Sequence, residues 1–364
     1  MIQQYTAIAL QPAMRGCQSR ADIKDNLDHI SELMDYAVSF GEFDLPVRLI
    51  TIPEGALQGF TDEVFDWPHE RYVEEMAIDL PGDETRFLGA KARQHNAYVV
   101  CQAKVRHPEF PGRYFNSAFI LGPDGELIHK YYKLQVFARE HSTVPHDVWD
   151  RWVELYGNGL DAFYPVADTD IGRIGTIVCQ DGSFPETARG LAMNGAEIIY
   201  RPSYPEPWVS SGWWEIQNRA RALDNTCYVI SPNVASYRLT PESRGSIDGF
   251  GGKTMIVDYH GQVMTDHPYS GSPSFAAAIF NIESLRDLRA RSLWSNWLKD
   301  MRTEQFRLIY DQPIWPKNRC LDEAPPNHAA HDELRHEMVE ELTRRGVYAA
   351  PDYGGAKPET RGRS

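Results

Sequence analysis

No stretch of this 364-residue chain approaches the roughly 18 consecutive apolar residues that a membrane-spanning helix needs, so none is expected. Basic residues are in deficit: 37 Lys and Arg face 51 Asp and Glu, for a net charge of −14. That balance argues against a nucleic-acid surface or an anionic membrane as partner, since neither attracts an acidic protein. Cysteine is sparse. Cys17, Cys101, Cys179, Cys227 and Cys320 are odd in number, widely scattered and without a Cys-x-x-Cys pair, which disfavours both a disulfide framework and a structural zinc site. The opening MIQQYTAIALQP lacks the basic region and the long apolar run of a secretory signal. A cytoplasmic location is therefore expected. The glycine-rich Gly249–Gly252 does not open a helix after a strand, so no nucleotide loop and no cofactor are implied.

What is present is ample material for a core, 42% hydrophobic against 24% charged, and a small-molecule partner is the class left standing. The chain alternates. Tyr5–Leu10 reads as a strand, and Ile23–Phe40 carries Ile23, Leu27, Ile30, Leu33, Met34 and Ala37 at amphipathic-helix spacing. Strands at 47–52 and 98–103 flank a helical segment at 84–95. The segments 115–121 and 126–132 form a hairpin across Gly122-Pro-Asp-Gly125. Further on come strands at 172–178, 198–201 and 227–231, helices at 186–194 and 213–223, a second hairpin at 254–264 and a closing strand at 276–282. This alternation predicts an α/β fold, a four-layer αββα sandwich of two mixed sheets covered by helices. Residues 1–285 make the core domain. Residues 286–364 form an extension that begins as a charged helix and runs on as a Pro-rich, charged tail, with 354–364 expected to fray.

Three polar residues stand where strands end. Glu54 follows LITIP, Lys133 closes HKYYK, and Cys179 follows GTIV at a strand-to-helix elbow. Singly, each has a plain structural reading: a helix-start acid, a strand-end charge, a small core residue. Parallel strands share one carboxyl rim, however, and a carboxylate, an ammonium and a thiol on that rim have complementary jobs. Glu54 suits a general base, Lys133 an oxyanion holder and Cys179 a nucleophile, because a free thiol is only a few per cent ionised at neutral pH and needs such neighbours.

The segments LITIPEGALQG, HKYYKLQVF and IVCQDGSFPE, in that order, resemble the Glu, Lys and Cys motifs of the nitrilase superfamily of carbon–nitrogen hydrolases. The resemblance covers roughly residues 5 to 285. It implies the αββα sandwich, the triad Glu54–Lys133–Cys179, and a fourth position, a second glutamate after the lysine motif, which matches Glu140 in KLQVFARE. QDGSFPE is similar to the DGxxPE pattern of aliphatic amidases and formamidases, as is MNGAEIIYRPSYPEP. The arginine that carbamoyl-amino-acid hydrolases often carry behind the cysteine is absent from Gln180–Phe184, and the spacing between Lys133 and Glu140 is closer to that of nitrilases.

The resulting expectation is a hydrolase that splits a carboxamide to acid and ammonia through a Cys179 thioester. A nitrilase and an N-carbamoyl hydrolase are the enzymatic alternatives, and a silent assembly protein the non-enzymatic one. Gln180, Tyr204, Phe60 and Trp208 are candidate substrate contacts. His129, His141 and His146 crowd the Lys133 segment without recruiting a carboxylate at ligand spacing, so no metal is expected. The apolar run from Leu285 to Pro313, with Trp294, Trp297 and Leu308–Tyr310, implies burial against another copy in a homo-oligomer.

Overall fold

The computed structural model describes residues 1–203, 211–247, 252–267 and 271–352. The first half of the chain supplies β1 (Tyr5–Gln11), β2 (Ala13–Arg15), β3 (Val47–Thr51), β4 (Tyr98–His107), β5 (Phe110–Leu121) and β6 (Leu127–Tyr132). The second half supplies β7 (Val166–Thr169), β8 (Gly172–Thr176), β9 (Ile198–Tyr200), β10 (Tyr228–Ser231), β11 (Ser236–Arg238), β12 (Met255–Val257), β13 (Val263–Asp266) and β14 (Ser274–Phe280). These strands form two six-stranded sheets, ordered β14-β1-β3-β4-β5-β6 and β13-β12-β10-β9-β8-β7. Both are mixed, parallel at the centre through β1, β3 and β4 and through β8, β9 and β10, and antiparallel at their edges.

β1 shows why the layers stack. All seven residues are buried, and alternation sends Tyr5, Ala7 and Ala9 into the core shared with the second sheet while Ile8 and Leu10 meet the helix Ile23–Gly41. That helix answers with Ile23, Leu27, Ile30, Leu33, Met34, Ala37 and Val38, the stripe its period predicts. The helices Pro185–Met193 and Trp213–Asn225 cover the second sheet in the same way. The four-layer αββα order read from the alternation is the order observed. Truncating one of these buried aliphatic side chains to alanine costs about 2–5 kcal/mol.

Three features differ from the expectation. Two short helices, Thr61–Phe65 and His69–Glu75, occupy what reads as loop, because each is too short for its period to register. β2 and β11 pair in parallel as a separate ribbon. The Pro-rich tail also contains a 17-residue helix, His328–Arg344, started by the Asn327 side chain accepting from the Ala330 N–H. Its buried residues are His331 and Leu334, so its inward face is partly histidine and carries little apolar signal. Leu285 packs into the core of its own chain, whereas Leu293, Trp294, Leu308, Ile309 and Tyr310 are exposed. Among the described residues no helix is long and apolar enough to cross a membrane.

Topology places the three polar residues together. β3 and β8 run parallel to their sheet centres, and β6 is antiparallel to β5, which is antiparallel to β4. The carboxyl ends of β3 and β6 therefore open on one rim, and the turn that follows β8 meets them there, the Tyr131 hydroxyl of β6 donating to Asp181 at 2.7 Å. Tyr200 at the end of β9 donates its hydroxyl to the Ile52 carbonyl at 2.5 Å, fastening the second sheet to the turn that carries Glu54.

Candidate active site

Past β8 the chain stays extended while the Ile177 N–H bonds the Tyr200 carbonyl at 3.0 Å. It then turns sharply at Cys179, whose φ of +49° lies in the left-handed region. For a residue with a Cβ this conformation costs about 1–2 kcal/mol and persists only where neighbours enforce it. Here the Cys179 N–H is held by the Pro202 carbonyl at 2.8 Å, and a 3₁₀ turn, Cys179–Ser183, leads into the helix Pro185–Met193. The Ser203 hydroxyl donates to the Cys179 sulfur at 3.3 Å.

Asp181 ties this elbow to the lysine segment. Its carboxylate accepts from the Val178 N–H at 3.0 Å, the Gln135 N–H at 2.8 Å, the Leu134 N–H at 3.1 Å and the Tyr131 hydroxyl at 2.7 Å. Burial pushes its carboxyl up to about 6, while Lys133 and these donors favour the ionised form. Behind the elbow, a Cβ on Gly182 would sit 1.8 Å from the Arg201 Nε, so no side chain fits there. Arg201 is wholly buried, donating to Asn218 Oδ1 at 2.8 Å and to Gln217 Oε1 at 2.5 Å, with its guanidinium 4.8 Å over the Trp214 ring.

Lys133, at the end of β6, donates to Glu54 Oε1 at 3.0 Å and to Glu140 Oε2 at 2.6 Å. The Asn116 amide bridges the same two carboxylates, reaching Glu54 Oε1 and Glu140 Oε1 at 2.9 Å each, and is oriented by Gln102, whose Nε2 donates to Asn116 Oδ1 at 2.6 Å. Gln102 in turn accepts the Gly55 N–H at 2.7 Å, and Ser142 donates to Glu140 Oε1 at 2.5 Å. Gly55 has φ +71°, and a Cβ there would strike the Phe60 ring at 2.1 Å, so the turn behind Glu54 requires glycine. Glu54, Lys133 and Glu140 are each 1% exposed and Cys179 is 7% exposed, so every contact acts in a medium of low polarisability.

One atom in this cluster stands apart. Glu54 Oε2 is buried and has no hydrogen-bond partner among the described residues, although Oε1 has two. Burial raises the Glu54 proton affinity, and Glu140 adds to that while Lys133 and Asn116 oppose it. For Glu140 burial also acts upward, but Lys133 and Lys104 outweigh it and leave the carboxyl at about 2. Lys133 is held far above its usual range: burial opposes its charge, and Glu140, Glu54, Cys179 and Asp181 more than restore it. The site thus contains a firmly ionised Glu140, a cationic lysine and a glutamate whose free oxygen readily takes a proton.

The four residues marked at strand ends and in the following loop are brought together here. Gln180 is half-buried beside Cys179. Phe60 is 2% exposed and packs with Met14, Val234 and Tyr237. Tyr204 and Trp208 lie outside the described residues, as do Gly249–Gly251. All five cysteines are buried and none forms a disulfide. Sequence reasoning missed Asn116, Gln102, Ser142 and Asp181; the available signal was a polar residue inside an otherwise apolar strand, as in RYFNSAF and VVCQAKV. His129 meets Thr176 at 3.2 Å and is held at about 4 by burial.

Residues 12–272 match the model of the carbon–nitrogen hydrolase family. The chain is 30% identical over 346 residues to a formamidase of Bacillus cereus (strain Q1), covering 91% of this chain and 97% of that protein. It is 31% identical over the same length to a formamidase of Bacillus anthracis. In fold it is similar to a carbon–nitrogen hydrolase of Helicobacter pylori G27, with TM-score 0.64, 22% identity and coverage of 85% and 99% of the two chains. An amidase of Nesterenkonia aligns with TM-score 0.59 and 20% identity over 84% of this chain and 96% of its own. The chain belongs to the carbon–nitrogen hydrolase family, as an amidase-type hydrolase of its formamidase and amidase branch.

Proposed function

We propose that this protein hydrolyses a small carboxamide to its acid and ammonia through a thioester on Cys179, with Glu54 as base, Lys133 as oxyanion holder and Glu140 as the residue that positions the amide. The observation that carries the reading is the unpartnered Glu54 Oε2, buried in a cluster where the other oxygen is already committed to Lys133 and Asn116. Glu54 takes the thiol proton as the sulfur attacks the carbonyl carbon, and the Lys133 ammonium faces the oxyanion that forms. When the tetrahedral species collapses, Glu54 returns the proton to the departing nitrogen and ammonia leaves. Glu54 then deprotonates a water that attacks the thioester, and thiol and acid are regenerated. Glu140, ionised throughout, accepts from the substrate NH₂ and holds the planar amide for attack; a nitrile has no N–H to offer. The similarity to formamidases favours a short acyl group. Gln180, Phe60, Tyr204 and Trp208 remain the proposed substrate contacts.

The test is ammonia release from purified protein against a panel of short amides, nitriles and N-carbamoyl compounds, with Cys179→Ala as control. Turnover of amides that disappears in Cys179→Ala supports the reading; nitriles outpacing every amide, or activity retained without the thiol, sinks it. The reading extends to a cytoplasmic location, supported by five buried cysteines without a disulfide, since an oxidising compartment disfavours such usage. It also extends to a homo-oligomer. Beyond the core domain of residues 1–285, Leu293 is 89% and Trp294 84% exposed, and Leu308 and Ile309 are open too, an apolar face suited to a second copy. Light scattering at micromolar concentration should give at least a dimer, and a fully active monomer would refute it.

A further inference from the structure

His141 directly follows Glu140, and its surroundings come from three separate parts of the chain. Its Nε2 lies 3.1 Å from Asp66 Oδ1, at the end of the short helix Thr61–Phe65. The same Asp66 oxygen is 3.7 Å from the Nε2 of His328, first residue of the helix His328–Arg344. One donor atom from each of the three residues lies within 4.8 Å of the others. Metal–ligand bonds of about 2.0–2.2 Å in a tetrahedron hold ligand atoms roughly 3.3 Å apart. The two measured separations from Asp66 bracket that value and the donor nitrogens of the two imidazoles lie within 4.8 Å of each other, so a cation fits between these atoms after side-chain adjustment.

We propose that Asp66, His141 and His328 form a binding site for a zinc-like divalent transition-metal cation that clips the C-terminal helix to the loop carrying Glu140. Two imidazoles and a carboxylate are a donor set for zinc and its first-row neighbours rather than for calcium or magnesium, which favour all-oxygen shells. The His141 Nε2 makes no well-aligned hydrogen bond among the described residues, so coordination displaces nothing there. The backbone of His141 is already fixed: its carbonyl accepts from the His69 ring at 2.8 Å, and that ring's other nitrogen accepts from the Tyr114 N–H at 3.3 Å. Such outer contacts hold a ligand in place before the metal arrives. His328 gives up a contact with the Arg139 carbonyl, 3.2 Å from its Nε2, in order to bind.

His331 stands one turn further along the same helix. It is 4% exposed, both ring nitrogens are buried without a hydrogen-bond partner among the described residues, and its ring centroid is 6.2 Å from that of His141. An imidazole with neither nitrogen satisfied is costly to bury, and a rotation toward the Asp66–His141–His328 group supplies a fourth ligand. The sequence pattern alone does not reveal the site. His141 has no partner near it in the chain, and the other ligands arrive through the fold.

The test uses the untagged full-length chain carrying Cys179→Ala, so that the reactive thiol does not bind the probe. Zinc is titrated in competition with a chromophoric chelator, and melting temperature is followed with and without zinc. One equivalent per chain and a zinc-dependent rise in Tm are expected. Ligand loss should weaken binding at least as much as the 10–100-fold typical of outer-contact changes, so about 100-fold is expected for His328→Ala. Asp66→Asn, which keeps the shape of the side chain, serves as the second variant and should also abolish the Tm response. Parent-like zinc affinity in both variants, or no stoichiometric binding by the parent, overturns the site.

Discussion

Two lysines in this protein are buried to 1% exposure, each between two carboxylates, and they do different work. Lys133 meets Glu54 and Glu140 at 3.0 and 2.6 Å; Lys104 meets Asp62 at 2.7 Å and Glu63 at 2.7 Å. By burial, charge and distance they are nearly alike. What separates them is the acid each is paired with: Glu54 leaves one buried oxygen without a hydrogen-bond partner among the described residues, whereas Asp62 is satisfied at both. Both oxygens of Asp62 are bonded, one to Lys104 and the other to Lys104 and the Tyr114 hydroxyl at 2.6 Å, and the lysine head lies 5.1 Å from the Phe60 ring. Around Lys133 a carboxylate oxygen is left open and a thiol sits at the elbow beside it. A buried ion pair is therefore weak evidence of catalysis, and the incomplete satisfaction of one acid is the sharper mark. The clusters also feel one another. Burial first, with Glu140 and Asp62 adding, lifts Glu63 to about 8 against the pull of Lys104, while Lys104 helps hold Glu140 ionised.

Replacing each lysine by methionine tests the contrast most strongly. Lys133→Met strands two buried carboxylates and should lose stability, but in the molecules that remain folded it should cut amide kcat/KM by about 10³ or more, since it removes the donor that faces the oxyanion. Lys104→Met should lose about 3–5 kcal/mol of stability to denaturant, because it strands two buried carboxylates, while folded molecules keep turnover within about tenfold. Interchanged phenotypes would break the comparison. A smaller effect is expected of Glu140→Gln, which keeps volume but replaces an acceptor with a group that also donates. Amide kcat/KM should fall by about 10², on the order of 3 kcal/mol, with Cys179 still open to alkylation. Wild-type rates in that variant would remove Glu140 from the reaction.

The gentlest test is pH. Glu54 serves as base only when ionised, and its pKa is raised, so kcat/KM should be intact above that value and fall as pH drops through it. The acid limb should lie above the ordinary glutamate value of about 4.3. Glu140, held at about 2, contributes no limb in that range. A profile flat down to pH 4 would mean that Glu54 is not the base.

Much of this was legible in the chain, and the reason is local. Glu54, Lys133 and Cys179 each stand where a strand ends and a turn begins, a position that is ordinary for any one of them and informative for the three together, and their motifs in order carry the family resemblance. The helices over the sheets announce themselves through stripes such as Ile23 to Val38. Asn116 and Gln102 were not legible, because a single polar residue in a buried strand declares nothing about what it faces. The Lys104 cluster hides for the same reason. The C-terminal helix escapes because its buried face includes His331, and a histidine facing inward does not look like a core residue until the partner surface is known.

That late helix has a consequence for synthesis on the ribosome. Arg335 donates to the carbonyls of Val136 and Ala138 at 3.5 Å, and the His328 ring lies 3.2 Å from the Arg139 carbonyl, so the segment leading into Glu140 is braced by residues made near the end of the chain. At translation rates of roughly 5–20 residues per second, about 200 residues separate the making of the loop from the making of its brace, an interval on the order of 10–40 s. Once Cys179 has been added, and for the rest of that interval, the nascent protein has its thiol, lysine and both glutamates in sequence but lacks the contacts that hold Val136–Arg139. The order of synthesis itself postpones the finished catalytic centre until the last helix has emerged and docked.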